Sequence, residues 1–221
     1  MLLAMASPVV ASECVVLLHG LGRTETSMSK IEDALQDAGY AVWNQGYAST
    51  TADIKVLGTQ AIEPGVNYCA GYDAVHFVTH SLGGILVRAY LQDKPFEGRI
   101  VMISPPNQGS EIPDVLREIR LFQVLFGPAA QQLGTDPQSV PNTLDKIEGQ
   151  IGVITGDSSV DPWFSWLIPG PDDGKVSVES ARLGEMTDFL VVPYSHAFIM
   201  RRQPVIEQVL TFLATGKFKH F

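Results

Sequence analysis

No stretch of this sequence reaches the roughly 18 consecutive uncharged apolar residues that a membrane-spanning helix requires. It carries no basic run, no internal repeat and no low-complexity linker. Only 18% of its residues are charged, acidic groups outnumber basic ones 24 to 15, and the formal net charge is −9. That balance argues against nucleic acid or an anionic membrane as the main partner. Cysteine is scarce, at two residues. No group of His, Cys and Asp has metal-ligand spacing, and the sequence calls for no metal and no cofactor.

What is present fits one domain with a sizeable core, since 45% of the 221 residues are hydrophobic. The first dozen residues are apolar and small, and Val9-Val10-Ala11 lies near the A-x-A pattern of a cleavage site. They predict a signal-peptide remnant over 1–12 and a domain over 13–221; an apolar N-terminal strand is the alternative. A signal implies a periplasmic or secreted protein, its absence a cytoplasmic one. Cys14 precedes the apolar run Val15-Val16-Leu17-Leu18, and Cys69 precedes the strand that leads to Ser81. If those strands are parallel neighbours, both sulfurs sit at one sheet edge and a disulfide is expected, with two unrelated buried thiols as the alternative. Such a crosslink stabilises by roughly 4 kcal/mol in the chain-entropy model and needs an oxidising compartment.

The informative stretch runs from Val75 to Tyr90. A strand-type apolar run leads into Thr79-His80-Ser81-Leu82-Gly83-Gly84, and Leu82, Ile85, Leu86, Ala89 and Tyr90 then repeat at helical spacing. A strand that turns sharply into a helix with Ser at the corner is a nucleophile elbow. The corner lifts the hydroxyl off the sheet and aims unpaired helix N–H groups at whatever the serine attacks. Thr79 stands where the usual G-x-S-x-G pattern has its first glycine. An ordinary strand-to-helix turn with Ser81 as N-cap is the plain alternative.

Further strands are expected at 15–18, 40–44, 99–103, 151–155 and 189–192. Helices are expected between them: one carrying Met28, Ile31 and Leu35, one over 54–62 ending near Pro64-Gly65, and a last one over 204–213. This alternation predicts a mostly parallel sheet of about six strands with helices on both faces and a ligand site at the carboxyl ends of the strands. The stretch from about 105 to 148 breaks the alternation. Within it, residues 112–126 read as a helix with two apolar sides, one of Ile112, Val115, Leu116, Ile119, Phe122 and Phe126, the other of Leu121, Val124 and Leu125. A helix apolar on two sides needs two apolar neighbours. The domain body is one; more core, an acyl chain or a lipid surface is the other, and the segment is expected to be cap-like.

A serine hydroxyl needs a base, and the base an orienting acid. Of the five histidines, His196 follows the last strand at the same sheet edge as Ser81 and is the expected base. His19 belongs to the turn after the first strand, His76 lies inside the elbow strand, His80 adjoins Ser81, and His220 is in the tail. For the acid, Asp173 before the Gly174 turn is favoured over Asp172 and Asp157. Two N–H donors are needed for an oxyanion; Leu82, after the nucleophile, and Leu21, in the turn His19-Gly20-Leu21-Gly22, are expected.

Taken together, these residues resemble the α/β-hydrolase superfamily, and within it bacterial lipase- and esterase-like members. The resemblance rests on the His19-Gly20-Leu21-Gly22 turn, the elbow, Asp173-Gly174-Lys175-Val176, His196 and the order Ser, Asp, His. It implies a three-layer α/β-hydrolase sandwich and a triad of Ser81, Asp173 and His196 acting on a small-molecule acyl ester or a lipid. It implies oxyanion amides at Leu21 and Leu82. Acyl transfer, thioester or amide cleavage at the same site stays open, as does a non-catalytic binding module on the same fold.

Overall fold

A computed structural model of the protein describes residues 12–220. The signal-like residues before Ser12 lie outside the described residues, as does Phe221. Six strands form one sheet: β1 (Glu13–Leu18), β2 (Ala41–Trp43), β3 (Ala74–His80), β4 (Arg99–Ile103), β5 (Gln150–Gly156) and β6 (Asp188–Val192). Their order is β2-β1-β3-β4-β5-β6, and every neighbouring pair is parallel.

The apolar runs of β1, β3 and β4 are continuous because both sheet faces are covered. Val16, Leu18, Phe77, Ile100 and Met102 point to one core, with Ile54, Leu57, Ile85 and Leu86 from helices α2 (Ile54–Cys69) and α3 (Leu82–Tyr90). Val15, Leu17, Val78, Val101 and Ile103 point to the other, with Ile31 and Leu35 of α1 (Ser29–Asp37) and Val205, Val209 and Phe212 of the C-terminal helix (Gln203–Thr215). Each such side chain, fully removed from water, contributes about 1.5–3 kcal/mol. A polar substitution at Val78, between the two layers, would strand an unpaired group there.

Helix α2 runs one and a half turns beyond the expected stop at Pro64. Asp53 caps its start, its carboxylate accepting from the Val56 amide at 2.9 Å. Proline inside a helix costs about 3 kcal/mol, but Pro64 lies on the exposed side and tertiary packing holds the helix on course. Gly65 seats so closely on the sheet that a Cβ would stand 2.7 Å from Trp43 and 2.8 Å from Val16. The last residue of the helix, Cys69, is bonded to Cys14 of β1, with Cα atoms 5.6 Å apart. Since β1 and β3 are parallel neighbours, this is the disulfide that the positions of the two cysteines anticipate.

Between β4 and β5 the chain forms α4 (Glu111–Leu116), α5 (Arg120–Gln131) and α6 (Val140–Thr143). The single helix expected over 112–126 is therefore two. Ser110 caps α4 by accepting from the Ile112 amide at 3.2 Å, and the helical run stops before Ile119, which has extended backbone. A second break falls at Gly127, with φ of 69°, followed by Pro128; a Cβ at 127 would run into the Thr50 carbonyl. Buried Arg88 of α3 holds both ends of the segment, donating to the Asn107 carbonyl at 2.9 Å and the Leu144 carbonyl at 3.4 Å. A short helix α7 (Pro162–Ser165) follows β5, which makes the C-terminal helix α8.

Candidate active site

Ser81 stands between the end of β3 and the start of α3, with φ of 54° and ψ of −121°. A non-glycine residue there is strained by about 1–3 kcal/mol, and the surroundings hold it. Its amide donates to the Ile103 carbonyl at 2.9 Å. Gly83 lets α3 sit down on β1, since a Cβ would lie 2.7 Å from the Leu18 carbonyl oxygen. Thr79, wholly buried, occupies the place of the usual first glycine. Gly84 accommodates it: a Cβ at 84 would stand 3.4 Å from Thr79 Oγ1 and 3.1 Å from Pro105 Cβ. The second glycine of Gly83-Gly84 thus supplies space that the missing first one normally gives.

The structure brings together the three residues expected to act in concert. Ser81 Oγ lies 3.0 Å from His196 Nε2, and His196 Nδ1 lies 2.8 Å from Asp173 Oδ2. A carboxylate only accepts, so Nδ1 carries the proton, and Nε2 is left to accept from the serine hydroxyl. The other oxygen of Asp173 accepts from the Lys175 and Val176 amides at 3.0 and 2.9 Å. The Gly174 turn, with φ of 96°, folds those amides back onto the carboxylate. The His196 amide in turn donates to the Asp173 carbonyl at 2.8 Å, so acid and base are tied by main chain and side chain alike.

The competing groups are engaged elsewhere. Asp172 accepts from the Gly174 amide and the Ser165 hydroxyl, both at 2.7 Å. Asp157 is exposed beside Ser158. His76 sits between Glu13 and the Arg99 amide, and His220, exposed in the tail, meets Asp188 at 2.9 Å. Burial pushes the imidazoles of His19 and His76 below their ordinary value, with nearby acceptors working against that, and pushes His80 well below it.

His19 shapes the turn that faces the elbow. Its Nδ1–H donates to the Gly20 carbonyl at 2.9 Å, and Nε2 accepts from the Tyr47 amide at 3.3 Å. Tyr47 stacks on the ring at 4.1 Å and gives its hydroxyl to the His19 carbonyl at 2.6 Å. The turn closes with the Arg23 amide on the Gly20 carbonyl, and the Gly22 amide donates to Ser49 Oγ. Gly20 comes so near the elbow that a Cβ would lie 3.1 Å from Ser81 Cβ. Leu21 therefore borders the serine on one side. Leu82, the first residue of α3, borders it on the other, where helix N–H groups have no partner within the helix.

A cleft of about 320 Å³ opens over Ser81 and His196. Its walls are mostly apolar, with Leu21, Ile112, Leu116, Phe122, Phe126 and Val176 among them. Arg23 adds a polar link at the rim, reaching the Ala197 carbonyl at 3.4 Å. Sequence reasoning missed that link, and missed the bond from His80 to the His196 carbonyl at 3.1 Å. Neither leaves a periodicity or motif to find; both depend on loops meeting across the sheet edge.

No family model and no curated protein matches the sequence. Solved structures do match the fold. The mature lipase BlEst2 of Bacillus licheniformis superposes with a TM-score of 0.74 at 18% identity, over 96% of this chain and 94% of that one. Phospholipase PlaB of Legionella pneumophila gives 0.70 at 15% identity, over 93% of this chain and 60% of the other. A structure of the metagenome-derived lipolytic enzymes LipS and LipT gives 0.69 at 16% identity, over 93% and 95%. The chain has the α/β-hydrolase fold. That fold is the one it shares with these lipolytic enzymes.

Proposed function

We propose that this protein is a serine hydrolase that cleaves carboxylic esters. The observation that carries the reading is the hydrogen-bonded chain Ser81–His196–Asp173, with links of 3.0 and 2.8 Å, at the floor of an apolar cleft. Ser81 Oγ attacks the ester carbonyl while His196 Nε2 takes its proton. Asp173 holds the imidazole in the tautomer that can accept and stabilises the imidazolium that forms. The Leu21 and Leu82 amides hold the oxyanion. His196 then gives its proton to the leaving alcohol, and water releases the acyl group by the same route.

The acyl group lies under α4 and α5, which act as a cap. The cleft is at the lower end of the roughly 300–1,000 Å³ of small-molecule sites, which favours short to medium chains. Turnover of p-nitrophenyl esters is expected to peak there and to fall for long chains; rates independent of chain length would remove the cleft from the account. Product analysis with and without added alcohol acceptors separates hydrolysis from acyl transfer. Thioester and amide analogues mark the limits of the leaving group.

A specific observation favours an ester presented at a lipid surface. Leu121, Val124 and Leu125 on α5, and Trp163 in α7 with Trp166 just after it, stand out into solvent, the tryptophans more than 80% exposed. Phe122, Phe126 and Phe164 from the same two helices line the cleft. With a net charge of −9, the surface that fits is neutral or zwitterionic rather than anionic. A rise in activity when the substrate passes from dissolved to aggregated is the expected sign. The Cys14–Cys69 bond favours an oxidising compartment, which secretion or periplasmic export would provide. No helix among the described residues is long and apolar enough to cross a membrane.

A further inference from the structure

His80, the residue before Ser81, has no role in the mechanism above, yet it is 1% exposed and meets three parts of the site. Its Nε2 faces the His196 carbonyl oxygen at 3.1 Å. A carbonyl accepts and never donates, so Nε2 carries the proton. Its Nδ1 has no hydrogen-bond partner. That nitrogen lies against the oxyanion turn, where a Cβ on Gly20 would stand only 2.8 Å from it. The ring itself packs on the His196 ring with centroids 4.8 Å apart.

These contacts decide the protonation state on geometry. A second proton would sit on Nδ1, buried without an acceptor, which costs several kcal/mol for a charged group. Burial foremost, and the positive charge of Arg23 after it, disfavour a charge on His80. The ring is therefore a neutral donor of fixed tautomer.

We propose that His80 is the positioning residue that holds His196 in register with Ser81, by donating Nε2–H to the main-chain carbonyl of the base while its ring wedges against Gly20. The elbow residue thereby fixes the 193–198 loop and the oxyanion turn together. The side-chain bond to Asp173 sets the direction of the His196 ring; its backbone is held from two sides, its amide by the Asp173 carbonyl and its carbonyl by His80. Without it, the hydrogen bonds that remain among the described residues tie the loop to the elbow through Ser81–His196 and to the turn through Arg23.

The proposal rests on the ester-hydrolase reading for its kinetic consequence, and the test separates the two. His80→Phe keeps a planar ring, one atom larger, and removes the donor; His80→Gln keeps a donor near the Nε2 position. Each variant is measured for kcat and KM on a short p-nitrophenyl ester, for thermal stability, and for the imidazole ¹⁵N and N–H proton signals. Misplacing a catalytic group by about 1 Å costs up to about a hundredfold. His80→Phe is expected to lose tenfold to a hundredfold in kcat with KM within about twofold, and the His196 Nδ1–H signal should broaden or move. His80→Gln should recover most of both. Unchanged kcat in His80→Phe, or equal losses in both variants that track stability, overturns the proposal. If the wild type turns over no ester, the hydrolase reading fails and the spectra decide: a His196 signal lost in the Phe variant and kept in the Gln variant supports positioning, and an unchanged signal in both refutes it.

Discussion

The sheet edge and the α4–α5 segment are built from similarly apolar sequence, but they treat it in opposite ways. Around Ser81, Leu82, Ile85, Val78 and Ile103 are fully buried, and Asp173 and His196 have their hydrogen-bonding atoms matched. On α5, Phe122 is buried while Leu121, Val124 and Leu125 are 67%, 72% and 58% exposed. The first region spends its apolar residues on fixing a geometry. The second leaves them facing outward, next to the mouth of the cleft that the first region floors. Apolar periodicity alone reports that a helix has a greasy face; only the partner across from it decides whether that face is core.

The largest expected effects lie on the fixed side of this comparison. Asp173→Asn removes the acceptor that selects the His196 tautomer, and turnover should fall by roughly a thousandfold to ten-thousandfold. Folding should be little changed, because the isosteric amide can keep the carbonyl that accepts from Lys175 and Val176. A smaller loss would mean that another group orients the base. Next in size is the disulfide. Reducing it, or making Cys14→Ala with Cys69→Ala, should cost about 2–4 kcal/mol in urea unfolding, because it ties β1 to the end of α2 behind the elbow.

A third effect depends on pH. His19, His76 and His80 are held below their ordinary value by burial, most of all His80. Between the folded values and the unfolded value of about 6.5, the unfolded chain binds more protons. Their stabilising contribution is therefore complete above about pH 6.5 and is lost as pH falls below it. The α4–α5 segment contains no histidine and adds nothing of this kind. Urea midpoints from pH 8 to pH 5 check it; a flat profile in this range would contradict the buried neutral rings. The smallest stability effect is expected on the outward side. Leu121→Ser, Val124→Ser and Leu125→Ser should each change stability by no more than about 0.5 kcal/mol. They should leave dissolved short esters unaffected and lower turnover of aggregated ones. A loss of stability would make this face core after all.

Much of the edge was legible in the sequence because it follows from local rules. The apolar runs at 15–18, 99–103 and 151–155 became strands buried on both faces, and Ser81 between a strand and a helical stripe became the elbow. Asp173 before Gly174 became the residue whose carboxylate reaches His196, because a glycine of positive φ lets the chain fold back there. What was not legible depends on distant packing. Pro64 and Gly65 read as a stop, yet α2 continues because Gly65 lies on Trp43 and Val16 and Cys69 is tied to Cys14. The α4–α5 break could not be read from a stripe that stays in phase across it. Arg88, which carries both ends of that segment, looks in the sequence like an ordinary basic residue near a helix end.

The central claim is that Ser81 is an activated nucleophile. The most direct test is to incubate the protein with a fluorophosphonate probe and locate the adduct by mass spectrometry, alongside Ser81→Ala. A single phosphonylated site on the peptide bearing Ser81, absent in the variant, is the predicted result. A folded protein that takes up no label, or carries it on another serine, would contradict the account.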